Sequence, residues 1–162
     1  MGAKLGLGER DLPDHSYARN MRVAITGSTG LIGSALTPHL ESLGHDVIRV
    51  VRDNPTGSDV SWSPADGRID PHALDGVDAV VHLAGAGIGD KRWTDDYKRE
   101  LLESRTKGTT LISEAVASAT EGPKVLLSGS AIGIYGARGD EELTETSAPG
   151  DGFLADICVQ WE

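Results

Sequence analysis

One stretch near the N-terminus constrains this chain more than any other. Met21–Thr26 (MRVAIT) is a short, β-branched run that stops at Gly27, and Gly27-Ser28-Thr29-Gly30-Leu31-Ile32-Gly33 then leads into an apolar-periodic segment. A strand, a turn with glycine at its first, fourth and seventh places, and a helix together form an anion cradle. The first glycine makes the tight turn. The second lets a diphosphate come up against the backbone, and the third lets the helix pack closely on the strand. The helix start then presents unpaired N–H groups and a partial positive charge to that anion. The reading on the residues alone is a dinucleotide-binding turn formed by Gly27, Ser28, Thr29, Gly30, Leu31, Ile32 and Gly33.

The rest of the chain alternates in the way such a turn requires. Leu31–Leu43 places Ile32, Leu36, Leu40 and Leu43 on one helical face, with Gly44 where a C-terminal glycine belongs. Pro38 inside that helix removes a backbone donor and predicts a kink. Strands follow at Asp46–Val51, Asp59–Trp62, Asp78–Leu83 and Lys124–Ser128. Between the last two, a long helix from Thr94 to Ala119 carries the stripe Tyr97, Leu101, Leu102, Gly108, Ile112, Ala115 and Ala119. Residues 136–151 are acidic and rich in Gly and Pro, hence loop, and a further helix begins at Gly152. Alternating βαβ units predict an α/β fold with a doubly wound parallel sheet and right-handed crossovers, in strand order 3-2-1-4-5.

Composition limits the rest. Residues 1–20 show no periodicity and read as a tail or linker, compatible with fusion to an upstream domain; residues 21–162 read as one domain. Aromatics are only 4 % of the chain, so Val, Ile, Leu and Ala must build the core. Fifteen basic against 25 acidic side chains give a net charge of −10, which argues against nucleic acid and against an anionic membrane surface as partners. There is no apolar run of the ~18 residues a spanning helix needs, and no secretory leader. A single cysteine fits a reducing, cytoplasmic setting.

Further candidates lie at the carboxyl ends of the strands. Val51-Arg52-Asp53 ends the second strand, where an Arg suits the 2′-phosphate of NADP and an acid suits the ribose of NAD. Arg52, with Arg49 nearby, predicts NADP(H); the alternative is NAD held by Asp53. Leu83-Ala84-Gly85 closes the fourth strand with side chains small enough for a cofactor to pass. His82, just before it, reads as a structural histidine rather than a general base. Arg105 falls four residues after Leu101 on the apolar stripe, where a charge must meet a partner or a ligand. Cofactor and substrate anion both remain open for it, as does an edge position in water. Glu100 flanks the same stripe and is placed to orient Arg105 or to touch the cofactor.

Several segments resemble the short-chain dehydrogenase/reductase superfamily in its extended or atypical branch, among relatives of nucleotide-sugar epimerases and dehydratases. They are Lys91-Arg92-Trp93, Leu101-Leu102-Glu103-Ser104-Arg105, Ser128-Gly129-Ser130-Ala131, Ile134-Tyr135-Gly136, and Phe153-Leu154-Ala155-Asp156-Ile157-Cys158 with Trp161-Glu162. The atypical subgroup of epimerase family proteins is the most similar. The resemblance covers about Met21–Glu162 and implies a Rossmann-like fold, a cofactor of the NADP or NAD type and a small-molecule substrate. It also implies catalysis by a Ser, a Tyr, a Lys and an Asn. Ser130 stands at the Ser position, Arg105 at the Asn position, Leu154 (or Phe153) at the Tyr position and Cys158 at the Lys position. The Tyr/Lys pair is absent, so the acid–base group is unassigned. Cys158 is either a thiol nucleophile or a small buried helix residue. In relatives of this kind more chain follows, so the expected fold is incomplete at its C-terminus. Two functions follow: an NADP(H)-dependent oxidoreductase or epimerase-like enzyme, or a nucleotide-binding sensor or scaffold without turnover.

Overall fold

The structure, a computed structural model, describes residues 19–162; most of the proposed tail lies outside the described residues. The first strand, β1 (Arg22–Thr26), is buried from Val23 onward and takes the middle of the sheet. Helix α1 (Leu31–Ser42) follows the glycine turn, and β2 (Asp46–Val51) pairs parallel to β1 with Ala24 opposite Ile48. Next come β3 (Val60–Ser63), β4 (Arg68–Ile69), β5 (Ala79–His82), α2 (Asp95–Ser118), β6 (Val125–Ser128) and α3 (Phe153–Trp161).

The sheet order is β4-β3-β2-β1-β5-β6. The five expected strands take the expected order 3-2-1-4-5, and every pairing among them is parallel. The sixth, β4, is a two-residue antiparallel edge beside β3, joined to it by a 3-10 turn over Pro64–Asp66. Two residues are too few for a periodicity to register. The expected kink at Pro38 is not seen as a break: α1 runs unbroken through it.

One face of the sheet carries the main core. Ala24, Ile48, Val50, Trp62 and Val80 meet Leu111, Ile112 and Ala115 of α2. Thr94 starts α2, its hydroxyl accepting the Tyr97 amide, with Asp95 and Asp96 in the positive first turn. Near that end Tyr97 and Leu101 pack with Ile157 of α3, while Phe153 stacks edge-on against Trp93 at 5.6 Å. The helix beginning at Gly152 therefore packs on α2. On the opposite face α1 is thinly buried: Gly33 is its one buried residue. Val125 and Leu127 on β6 share that face and remain exposed. The functional side chains gather where the strands' carboxyl ends meet α2 and α3.

Candidate functional site

The glycine turn has the geometry its spacing predicts. Gly27 adopts φ +69°, a left-handed conformation that glycine accepts without cost. A Cβ there would sit 2.8 Å from the carbonyl carbon of Leu83. Gly33 lies against the turn itself, whereas Gly30 is open on its outer side: a Cβ would meet nothing nearer than the Gly27 carbonyl at 3.3 Å. Gly30 is also the N-cap of α1, with no capping side chain and no acid in the first turn. The amides at the head of α1 are thus left for an external anion. Ser28 is buried; Thr29, Leu31 and Ile32 are exposed around the cradle.

A hydrogen-bonded latch behind this turn was invisible to sequence reasoning. Thr26 and His82 stand opposite each other in the β1–β5 register. The Thr26 hydroxyl accepts the amides of Leu83 at 3.1 Å and Ala84 at 3.2 Å, and lies 2.7 Å from His82 Nδ1. With both lone pairs engaged, the hydroxyl must donate to Nδ1, which puts the imidazole proton on Nε2. Nε2 is buried with no partner among the described residues, and the ring stands edge-on to Trp62 at 5.9 Å. Burial lowers the His82 pKa from 6.5 to about 4, so the ring is neutral. His82 is a structural group, as its position at the end of a buried strand suggests. Thr26 carried no signal of its own in the sequence.

That latch predicts an acid response. Between pH 6.5 and about 4 the unfolded chain takes up a proton on His82 that the folded chain refuses. The stability associated with neutral His82 is complete above 6.5 and is lost as pH falls toward 4, by up to about 3 kcal/mol. Urea unfolding of wild type and His82→Gln at neutral and acid pH measures the difference. Equal losses in the two proteins would remove His82 as the cause.

At the end of β2 the two arginines separate. Arg49 is held by Asp59 through Nε at 2.9 Å and Nη2 at 2.5 Å, and also bonds Thr56. Asp59 is nearly buried, and its hydrogen bond from Arg49 holds its carboxyl below the usual range. Arg49 is therefore committed within the protein and does not share the expected phosphate-reading role. Arg52 and Asp53 are exposed beyond the strand, with no ion pair among the described residues.

Loop residues Leu83, Ala84 and Gly85 pass from the latch toward α2. There Ser104 accepts the Ala86 amide at 3.0 Å and Tyr97 donates to the Gly87 carbonyl. Arg105 lies against Gly85, where a Cβ would be 3.4 Å from its guanidinium carbon. It stacks over Trp161 at 5.4 Å and donates to the Leu101 carbonyl at 3.0 Å. The side chain is half-buried, and desolvation lowers its pKa. Glu100 does not orient it: that carboxylate is exposed and pairs with Lys91 at 3.0 Å.

Ser130 follows β6 and donates to the Glu162 carboxylate at the end of α3. Cys158, offered as a nucleophile, is corrected by its surroundings. It is buried, its thiol points to the Ala131 carbonyl at 3.7 Å, and burial raises its pKa, so the reactive thiolate is disfavoured. Leu154 and Phe153 have nothing to titrate. Trp161 and Glu162, which the sequence presented only as the end of a motif, close the site. Trp161 Nε1 donates to Thr109 at 2.8 Å and ties α3 to α2.

Comparison with known proteins gives the family and supports the fold. The description of the NAD dependent epimerase/dehydratase family matches residues 23–152. The chain belongs to that family. It is 47 % identical over 144 residues to Epimerase family protein Mb2239 of Mycobacterium bovis, covering 88 % of this chain and 47 % of that protein. Among solved structures it is similar to the nucleoside-diphosphate sugar epimerase from Corynebacterium glutamicum, with a TM-score of 0.76 and 43 % identity over 88 % of this chain and 30 % of the other. It also resembles human epimerase family protein SDR39U1 (isoform 2), solved with NADPH, with a TM-score of 0.75 and 33 % identity over 87 % and 47 % of the two chains. The chain spans about half the length of the curated relatives it matches. Among its described residues no helix is long and apolar enough to cross a membrane.

Proposed function

We propose that this chain is the cofactor-binding part of an NADP(H)-dependent oxidoreductase or epimerase-like protein acting on a small molecule in the cytoplasm. The observation that carries this reading is the uncapped head of α1 at the Gly27–Gly33 turn. Its residues suit a diphosphate: Gly30 leaves room outside, and no carboxylate competes in the first turn. Leu31 and Ile32 would flank the cofactor, and Arg52 would take the 2′-phosphate. The human relative solved with NADPH supports that preference, while the family's own description speaks of NAD.

A bound nicotinamide supplies hydride transfer to or from a carbon bearing oxygen. The chain's own contribution is the proton. Ser130 would hold the substrate oxygen, and the Glu162 carboxyl bonded to it would take the proton when hydride leaves the substrate and return it when hydride arrives, in place of the missing Tyr/Lys pair. The second reading, a nucleotide-binding sensor or scaffold, draws support from the same absence, since Leu154 and buried Cys158 cannot do that pair's work. NADPH absorbance followed over a panel of carbonyl compounds separates the two. Tight binding without consumption would favour the sensor.

Binding is tested by thermal shift and calorimetry. A cofactor at about 100 times its Kd adds about 2.7 kcal/mol to stability, and NADPH should do this at concentrations where NADH does not. Arg52→Asp should reverse the NADPH/NADH preference by about 100-fold, or roughly 2.7 kcal/mol. An unchanged ratio would show that Arg52 does not read the phosphate.

A further inference from the structure

We propose that Arg105 is the site that receives the negative charge of the substrate, a carboxylate or phosphate group. The inference rests on the cofactor reading above and names the chemistry of what that cofactor would meet. Its basis is an uncompensated cation. Arg105 is half-buried on the inner stripe of α2, yet among the described residues it has no ion pair. Acids that precede it on the same helix are engaged elsewhere: Glu100 pairs with Lys91, Glu103 with Lys107 and Asp96 with Arg99. Glu162, just past the neighbouring helix α3, takes the Ser130 hydroxyl.

Among the described residues the protein bonds one edge of the guanidinium, through Nη1 to the Leu101 carbonyl. Of five N–H donors, several remain in a fixed fork that fits two oxygens of one anion. The face of the group lies on the Trp161 ring, which sets its plane. A desolvated guanidinium kept without an acid costs stability, and an incoming oxyanion would recover it.

Position decides between the cofactor and the substrate. On the proposed reading a dinucleotide's own negative charges would fall at its diphosphate, on the Gly27–Gly33 turn after β1, and at a 2′-phosphate beyond β2. Arg105 lies on the other side of β1. It touches Gly85 after β5, and Trp161 beneath it reaches Gly129 after β6, where a Cβ would lie 4.0 Å from the indole. The nicotinamide half of a bound cofactor would extend toward that side, and it would bring neutral hydroxyls and, when oxidised, a positive ring. Neither satisfies a cation. Ser130 follows Gly129 directly, so an anion on Arg105 and an oxygen on Ser130 belong to one small molecule.

The experiment uses the whole chain with isotope labelling, following the Arg105 Nε–H and Trp161 indole resonances by NMR. Acetate and inorganic phosphate are titrated at constant ionic strength, with glycerol as the neutral probe, and NADPH affinity is measured by calorimetry. Acetate or phosphate should move both resonances along a saturating curve while glycerol does not; which of the two binds tighter distinguishes a carboxylate from a phosphate substrate. Arg105→Met should remove the saturable response of the Trp161 indole, Arg105→Lys should weaken it by about tenfold, and both should change NADPH affinity by less than about threefold. Failure of both oxyanions to move wild-type Arg105, or a tenfold loss of NADPH affinity in Arg105→Met with Arg105→Lys restoring it, would overturn the proposal. If NADPH does not bind wild type at all, the cofactor reading falls and the substrate assignment with it, while the oxyanion titration still shows whether Arg105 holds an anion.

Discussion

Gly33→Ala should unfold more easily than wild type by about 2 kcal/mol or more and should lose the stabilisation that NADPH confers. Helix propensity alone demands the opposite, because alanine inside a helix is favoured over glycine by about 1 kcal/mol. Packing reverses the sign. A Cβ at position 33 would stand 2.3 Å from the Gly27 carbonyl oxygen and 2.7 Å from Ser28 Cα. Both are backbone atoms of a turn already held at φ +69°, so nothing can swing aside. Overpacking of this kind costs about 1–3 kcal/mol where side chains can adjust, and more where backbone must move. Relief means pushing α1 off β1, which also withdraws its head amides from the anion. Gly30→Ala separates the two effects. Its Cβ meets only one oxygen at 3.3 Å, so the fold should hold while cofactor affinity falls. Chemical denaturation with and without NADPH measures both. A Gly33→Ala protein more stable than wild type would refute the close approach.

Thr26→Val should cost about 4 kcal/mol although it keeps the shape of the side chain. The hydroxyl serves three groups at once. Leu83 N–H retains the Thr26 carbonyl at 3.2 Å, but Ala84 N–H and His82 Nδ1 lose their partners. Each buried polar group left unpaired costs roughly 2 kcal/mol. The loop that backs the glycine turn then loses its anchor, so the remaining folded protein should bind NADPH more weakly. Thr26→Ser keeps the hydroxyl and should recover most of both losses. Equal stability of the Val and Ser variants would sink the latch.

The alternation of strands and helices was legible because each element carries its own period: Val, Ile and Ala in β1, the Tyr97–Leu101–Ile112 stripe in α2. The glycine turn was legible because its requirement is local, a backbone that no side chain can obstruct. Arg105 was legible as an anomaly, a charge on an apolar stripe. The roles of Arg49, Glu100 and Cys158 were not. Each depends on a partner far along the chain or on another helix: Asp59 takes Arg49, Lys91 takes Glu100, and the packing of α3 buries Cys158.

Local chemistry in the chain's own order thus determined the α/β class, the strand order and the glycine turn, because sterics and side-chain period act between near neighbours. Tertiary structure alone decided that Thr26 meets His82 fifty-six positions away, that Glu162 meets Ser130, and that Trp161 lies beneath Arg105. Those contacts arise from sheet register and helix packing, and neither has a signature in any single stretch of sequence.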